Sequence, residues 1–278
     1  EGSAFSVPNY TVAAREVLRR SAVHFTPLRS ERELDAEAIA RIVDAEYAAA
    51  GIDRRAVQTG AVIITGETAR RENARAVLEA LSGYAGDFVV ATAGPALESA
   101  LAGRGAGAAD HSQAHACTVV NLDIGGGTTN IARFTNGALT DTACLNVGGR
   151  LVKLEPDGRV TYVSPVLRPF VPYAPGDRLT PQDLAPAVSL LTEILEEALG
   201  FRPVRDEARL RFFVTDRLPG PAPGAVYSFS GGVADLMDDR PREPFAYGDL
   251  GVLLGRAVAK SAVGPRIPAR ETIRATVI

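Results

Sequence analysis

The sequence predicts an α/β fold, because strand-like apolar runs alternate with helical patterns along the chain. Residues 62–65 form a β-branched run that stops at Gly66, and a helical pattern follows over residues 69–81. Residues 87–91 form a second short apolar run, which ends at a Gly-Pro turn before another helical stretch. Strands that alternate with helices in this way form largely parallel sheets with covered faces.

The composition is that of an ordinary globular protein and excludes several classes. Of 278 residues, 46% are hydrophobic and 23% charged, and the formal net charge is −3. This balance gives no field that would attract nucleic acid or anionic lipid, so neither partner is expected. No apolar run approaches the roughly 18 residues that span a bilayer. The two cysteines, Cys117 and Cys144, encode neither a disulfide framework nor a zinc knuckle, which fits a reducing cytoplasm.

The N-terminal part predicts short strands and one long helix. Residues 5–27 mix Val, Thr, Phe and Tyr with prolines, a pattern typical of short edge strands. Residues 30–33, Ser-Glu-Arg-Glu, have the pattern of a capping box, so a helix should begin there. Apolar residues at three- and four-residue spacing predict one buried stripe, and Gly51 should end the helix.

A glycine- and alanine-rich stretch over residues 103–109 predicts a flexible linker that continues to about residue 115. We place a domain boundary there, between a first domain at residues 1–115 and a second at 116–278. His111 and His115 have the spacing of a metal pair on a helix, but in such a linker we interpret them as part of a solvated loop.

The second half predicts a sheet with glycine at its turns. Residues 118–122 form a strand, and an Asn-Gly pair at residues 136–137 is a strong hairpin signal. A Thr-Pro cap at residue 180 starts a helix that ends near Gly200. Residues 226–229 form a strand that leads into a Ser-Gly-Gly junction and a helix.

The strongest chemical signal is the loop Asp123-Ile124-Gly125-Gly126-Gly127-Thr128-Thr129. Three consecutive glycines let backbone amides approach a phosphate closely, and the two threonine hydroxyls add donors. Asp123, at the end of a buried strand, could hold Mg²⁺ through its water shell. The alternative is a glycine-rich hairpin with a solvated carboxylate. The loop is not a Walker loop, since no Gly-Lys-Ser/Thr follows, and its glycines do not open a helix as a dinucleotide fingerprint does.

A second signal is Ser230-Gly231-Gly232, at a predicted strand-to-helix junction. Paired glycines let a flat ring or a sugar lie against bare backbone, and the amides at a helix start favour an anion. A tight turn accounts for the same pattern equally well.

The order of these motifs resembles the superfamily of actin, the sugar kinases and DnaK-type chaperones, known as ASKHA, in which they are the second phosphate motif and the adenosine motif. Within it, the strings at residues 60–70, 87–95 and 143–150 are similar to the EutA family, the reactivating factors of ethanolamine ammonia-lyase. The resemblance implies a two-lobed actin-like ATPase fold, each lobe built on a ribonuclease-H-like mixed sheet flanked by helices. The lobes would be residues 1–115 and 116–278.

The resemblance also implies a function and its site. The protein would use ATP and Mg²⁺ to help ethanolamine ammonia-lyase exchange a damaged cobalamin for intact adenosylcobalamin, acting as a chaperone with slow ATPase activity. The phosphates and metal would be held by Asp123, Gly125, Gly126, Gly127, Thr128 and Thr129, with Mg²⁺ on Asp123 through water. The adenosine would be bound by Ser230, Gly231 and Gly232. A cytoplasmic location is expected, with association with a bacterial microcompartment as a further expectation.

The sequence departs from the superfamily pattern in three ways. The first phosphate loop, an Asp-x-Gly-Thr turn, is absent, and so is the hinge motif expected just after Ile278. The chain lacks an initial Met and ends in an apolar run, so we expect a fragment truncated at both ends. Gly94 stands where DnaK-type relatives carry an acidic residue before proline, so any hydrolysis should be slow.

Several residues and two other functions stay as alternatives. Glu98 is interpreted as a solvated or helix-pairing residue rather than a ligand, and Glu67 as a helix cap rather than a base. Arg150 lies either beside the phosphates or in a simple turn. A small-molecule kinase would need a carboxylate base in a second pocket, for which we find no convincing candidate. An actin-like scaffolding protein would use nucleotide to regulate self-assembly.

Overall fold

The computed structural model describes residues 16–22, 24, 26–30, 33–64, 72–74, 76–77, 81, 87–92, 94–272 and 275. The chain forms two compact units. The first comprises Glu1–Val62 and Arg71–Val90, and the second comprises Ile63–Arg70 and Ala91–Ile278. These divisions differ from the boundary expected near residue 115, and the assignment of two lobes stays a prediction.

The first unit contains one long helix, α1 (Ala36–Ala50). Gly51, at φ 66°, ends α1 as predicted, because glycine adopts the left-handed conformation at little cost. The predicted start at Ser30 is wrong. The Arg29 amide donates to the Glu33 carbonyl, and Leu28 pairs with Leu34 in an isolated bridge. Asp35 caps the helix by accepting from the Ala38 amide at 2.9 Å.

Two strands follow, β1 (Thr59–Ile64) and β2 (Asp87–Thr92), and they form a two-stranded sheet. Both match the predicted strands. The helix predicted over residues 69–81 and the strands predicted over 5–27 fall largely outside the described residues. Glu67 lies outside them entirely.

The second unit is built on a mixed four-stranded sheet, which confirms the α/β class. Its strands are β3 (Thr118–Ile124), β4 (Thr129–Thr135), β5 (Ala138–Leu145) and β8 (Val226–Ser230), in the order β5-β4-β3-β8. The first three are antiparallel neighbours, whereas β8 runs parallel to β3. The β4–β5 hairpin turns at Asn136 and Gly137, both at positive φ, as the Asn-Gly signal predicts.

The two faces of this sheet are covered by different helices. On one face Leu122, Ile124 and Ile131 belong to a large apolar core that includes helix α4 (Pro181–Ala198). The other face packs against α2 (Pro95–Gly105), and α3 (Ala108–Ala114) adds Ala108 and Ala109 to a small cluster with Phe134.

Helices α2 and α3 correct the prediction of a flexible linker over residues 103–115. Gly103 lies inside α2, where a Cβ would be 2.5 Å from the Phe134 ring. A Cβ on Gly105 would be 1.7 Å from the Ala275 carbonyl oxygen. These glycines permit close packing of a helix, a tertiary requirement that local composition does not reveal.

The remaining elements complete the second unit. Strands β6 (Val152–Leu154) and β7 (Val160–Val163) form a second small sheet, and α5 (Gly251–Ala259) packs on α4. The region that follows β7 contains a 3₁₀ turn at Arg168–Phe170. Another 3₁₀ turn, Ala234–Leu236, stands where a helix was predicted after β8. Among the described residues, no helix is both long and apolar enough to cross a membrane.

Helix α4 allows a direct test of its predicted cap. Thr180 accepts from the Asp183 amide, and the Asp183 carboxylate accepts from the Thr180 amide at 2.8 Å. Thr180→Ala removes the hydroxyl and should lower the free energy of unfolding by about 1 kcal/mol in urea denaturation. Ser189→Ala, on the exposed face of the same helix, is the control and should change it by less than ~0.5 kcal/mol. Equal effects of the two variants would show that the cap contributes nothing.

Candidate functional site

The two glycine motifs lie side by side at the carboxyl ends of two neighbouring strands. Residues 125–128 join β3 to β4, and Ser230-Gly231-Gly232 follows at the end of β8. Asp123 lies opposite Ser230 across the parallel pair, and the Ser230 hydroxyl donates to Asp123 Oδ1 at 2.8 Å. The predicted phosphate and adenosine residues are therefore brought together, while their roles toward a ligand stay predictions.

One side of the glycine loop is fixed by the segment after β5. The Gly149 amide donates to the Gly125 carbonyl at 3.1 Å, and the Arg150 amide donates to the Gly126 carbonyl at 2.6 Å. A Cβ on Gly148 would lie 2.4 Å from the Gly126 oxygen, closer than any side chain tolerates. The Gly-Gly-Arg string is therefore a backbone clamp on the loop.

The other side of the loop is fixed by the Ser-Gly-Gly segment. Gly231 has φ 83°, and a Cβ there would lie 2.4 Å from the Ile124 carbonyl oxygen. The Val233 amide donates to that same oxygen at 3.0 Å. Gly231 is thus required both by its backbone conformation and by its close approach to the start of the loop.

Two backbone amides at the tip of the loop have no described partner. The Gly125 amide donates to the Thr128 carbonyl at 2.9 Å, so it is used inside the turn. The amides of Gly126 and Gly127 donate to no other residue that the structure describes. The predicted role of the Thr129 hydroxyl is not supported, because this side chain is fully buried and donates to the Val147 carbonyl at 2.8 Å.

A directed chain of hydrogen bonds runs beneath the loop and ends on Asp123. The Ser228 hydroxyl donates to Asn121 Oδ1 at 2.8 Å, and Asn121 Nδ2 donates to the Ser230 hydroxyl at 3.0 Å. The Ser230 hydroxyl then donates to Asp123. This arrangement follows from strand geometry, since alternate residues share a face and β3 and β8 pair Asn121 with Ser228 and Asp123 with Ser230.

Burial raises the pKa of Asp123 from its ordinary value of 3.8 to about 6. The Ser230 hydrogen bond lowers this pKa in part, and the negative charge of Glu98 raises it further. Glu98, in the first turn of α2, is only 7% exposed. The interpretation of Glu98 as a solvated residue is therefore wrong, because α2 covers the polar face of the sheet instead of extending into a linker.

Asn130 carries a buried acceptor close to Asp123. It lies directly opposite Asp123 across β3 and β4 and is 2% exposed. Its Oδ1 accepts no hydrogen bond from any residue that the structure describes, and such buried acceptors are rare in native proteins. Mg²⁺ keeps several water molecules and is usually held by one or two carboxylates together with phosphates. A metal-bound water near Asp123 would supply the donor that Asn130 lacks.

Arg150 and the two histidines lie in different parts of the second unit. Arg150 lies beside the loop, since its Cδ is 3.0 Å from the position that a Cβ on Gly126 would take. His111 and His115 lie on and next to helix α3, with ring centroids 4.2 Å apart. No group of three metal-binding side chains occurs in the part of the chain that the structure describes.

A shallow groove of about 460 Å³ lies elsewhere, between α4 and α5. It is lined in part by Ala185 and Val188 from α4 and by Leu253 and Ala257 from α5. None of the predicted site residues lines it.

Comparison with known proteins gives one family across the whole chain. The model of the family described as "Ethanolamine utilisation protein EutA" matches residues 1–278. The chain is 39% identical over 285 residues to the "Ethanolamine ammonia-lyase reactivase EutA" of Salmonella typhimurium, and 39% identical over 282 residues to the protein of that name from Escherichia coli. Each alignment covers 98% of this chain and 60% of the relative, so the chain spans less than two thirds of their length.

Among solved structures, the chain is similar to MreB5 of Spiroplasma citri, described as bound to ADP. That likeness has a TM-score of 0.42 at 17% identity and covers 91% of this chain and 76% of the other. EutJ from Carboxydothermus hydrogenoformans gives the same TM-score at 15% identity, over 87% and 72% of the two chains. At these TM-scores, the fold class rests on the sheet topology itself.

The buried Asp123 predicts a specific dependence of stability on pH. Between pH 3.8 and about 6 the native state retains the proton that the unfolded state has lost, so the wild-type protein loses stability as pH rises through this window. Asp123→Asn keeps an acceptor for Ser230 without the charge. In buffers with chelator, the free energy of unfolding of this variant should match that of the wild type near pH 4 and exceed it at pH 8. The difference at pH 8 should reach about 3 kcal/mol, because the pKa of Asp123 is raised by roughly two units. A stability difference that stays constant over this range in urea denaturation would contradict the assignment.

The close approach of Gly231 to the loop predicts a second result. Gly231→Ala adds a methyl group that collides with the Ile124 carbonyl, whereas Gly224→Ala has a similar φ of 70° and nothing within 4 Å. Both variants strain the backbone by ~1–2 kcal/mol. Gly231→Ala should lower the free energy of unfolding by a further ~1–3 kcal/mol, because overpacking adds to the strain. Equal losses in urea denaturation would show that this contact does not fix the loop.

Proposed function

The chain belongs to the EutA family, and from this membership we propose that it carries the nucleotide site of a reactivating factor for ethanolamine ammonia-lyase. The factor would use ATP and Mg²⁺ to loosen the lyase, so that a damaged cobalamin leaves and intact adenosylcobalamin enters. The observation that carries this proposal is the glycine loop. Its Gly126 and Gly127 amides donate to no described residue, and it joins the two strands that carry the buried Asp123 and Asn130.

In this proposal the loop binds the phosphates through its backbone. The clamp at residues 148–150 fixes the loop carbonyls, so that the amides at the tip are held in one orientation before a ligand arrives. Such preorganised donors lose little entropy on binding. Thr128 and Gly125 shape the turn, whereas Thr129 anchors it to Val147.

The metal would be held on the polar face of the sheet. Asp123 and Glu98 supply negative charge there, and Asn130 supplies an acceptor for a metal-bound water. Bound Mg²⁺ would offset the charge of the phosphate tail. The Ser228-Asn121-Ser230 chain leaves Asp123 Oδ1 as an acceptor, which favours the ionised carboxylate that a cation requires.

The adenosine would lie against Gly231 and Gly232. The Ser230 side chain is fully buried and bonded to Asn121 and Asp123, so its contribution is to position Asp123 rather than to contact the base. We also propose the cytoplasm as the location, with association with a microcompartment.

The experiment is reactivation of the lyase by the natural full-length protein. Lyase blocked with cyanocobalamin is mixed with the protein, ATP, Mg²⁺ and adenosylcobalamin, and ammonia release is followed. We expect activity to return only with nucleotide, and Asp123→Ala to slow its return by about 10- to 100-fold, since residues that hold a metal through water contribute that much to metal affinity. Asp110→Ala is the control, because that carboxylate is 62% exposed and pairs with Arg270, and it should leave the rate unchanged.

Three outcomes would contradict the proposal. Activity could stay lost while a known reactivase restores it. Phosphorylation of a small hydroxy compound without lyase would favour the kinase alternative. Nucleotide-dependent polymers in light scattering would favour the scaffolding alternative.

A further inference from the structure

Arg150 contacts the glycine loop through both its backbone and its side chain. Its amide donates to the Gly126 carbonyl, and the aliphatic part of its side chain lies against the same glycine. The side chain is 35% exposed, so the guanidinium can be reached from solvent. An arginine is thus held against Gly126, at the tip of the glycine loop.

The guanidinium is held there by a buried carboxylate from a distant part of the chain. Asp249 is 8% exposed, and its Oδ2 lies 3.5 Å from Arg150 Nε. This distance exceeds the 2.7–2.9 Å of strong charge-assisted hydrogen bonds. Asp249 Oδ1 also accepts from the Gly251 amide at 2.8 Å, at the start of α5. The Arg150–Asp249 contact is therefore long enough for a better acceptor to compete with it.

We propose that Arg150 binds the γ-phosphate of a nucleoside triphosphate in the glycine loop, and that Asp249 holds the guanidinium in place while no nucleotide is bound. This inference rests on the proposed nucleotide site. A phosphate carries more charge than one carboxylate, and the planar arginine fork can bond two of its oxygens at once. Burial raises the pKa of Asp249. When the guanidinium leaves, the hydrogen bond from the Gly251 amide and the charge of Lys153 still oppose that rise.

The order of contacts along the loop points to the terminal phosphate. Gly231, in the motif assigned to adenosine, touches Ile124 at the beginning of the loop. Arg150 touches Gly126 at the tip. A nucleotide with its adenosine near Gly231 and its phosphates along the loop would therefore bring its last phosphate closest to Arg150.

A purely structural role is the competing explanation. Arg150 could serve only to support the loop by linking it to the segment before α5. Loss of structural support would weaken the binding of every nucleotide alike, because the loop itself would move. Loss of a contact to the γ-phosphate would weaken the binding of ATP and leave that of ADP nearly unchanged.

The experiment measures ATP and ADP affinity by calorimetric titration of the full-length protein with Mg²⁺. Arg150→Ala should weaken ATP binding about 10- to 100-fold, as expected for a hydrogen bond to a charged group, and ADP binding by less than about threefold. Arg150→Lys keeps the charge and should retain part of the preference for ATP. Asp249→Asn keeps the acceptor for Gly251 and should bind ATP at least as tightly as the wild type, since a neutral amide competes less for the guanidinium than a carboxylate does.

Arg159→Ala is the matched control, because Arg159 pairs with Glu155 in its own hairpin and is 49% exposed. It should change neither affinity. If Arg150→Ala does not fold, the lysine variant and Asp249→Asn decide the question. An unchanged ratio of ATP to ADP affinity in the Arg150 variants overturns this inference alone. A wild-type protein that binds neither nucleotide overturns the proposed function as well.

Discussion

The second unit depends on close contact between backbone segments around one loop. The segments after β5 and after β8 each approach the β3–β4 loop so closely that a Cβ at Gly148 or Gly231 would lie 2.4 Å from a loop carbonyl oxygen. Because main-chain groups make these contacts, the loop has little freedom to relax, and two amides at its tip donate to no described residue. The glycines therefore serve packing first, and the chemistry of the loop follows from that packing.

The two faces of the sheet beneath the loop carry different side chains, apolar on one face and polar on the other. One face contributes Leu122, Ile124 and Ile131 to the apolar core, whereas the other carries Asn121, Asp123 and Asn130, all buried. Polar groups in such a position cost free energy unless they are fully hydrogen-bonded. Three hydrogen bonds satisfy part of this layer. However, burial destabilises the charged form of Asp123, and the Asn130 oxygen accepts no hydrogen bond from any described residue. That imbalance is typical of functional sites, where stability is sacrificed for binding.

Local sequence signals predicted the elements that depend on local chemistry. The Asn136-Gly137 turn, the Thr180 cap and the strand ending in Ser230 are each set by a few neighbouring residues. The helices at residues 95–114 were missed in part, because Gly103 and Gly105 serve contacts with Phe134 and Ala275 rather than flexibility. The burial of Glu98 and the approach of Asp249 to Arg150 depend on residues far apart in the chain. No motif encodes such pairs, whereas the loop itself was recognisable from its glycines.

Helix α5 connects two places that are otherwise separate. Its first residue, Gly251, abuts Gly149 of the clamp, and the preceding Leu250 amide donates to the Gly149 carbonyl at 2.8 Å. Farther along, Leu253 and Ala257 line the groove against α4. The nine residues of α5 therefore contact the clamp at one end and line the groove farther along. The backbone that fixes the glycine loop is thus continuous with one wall of the groove.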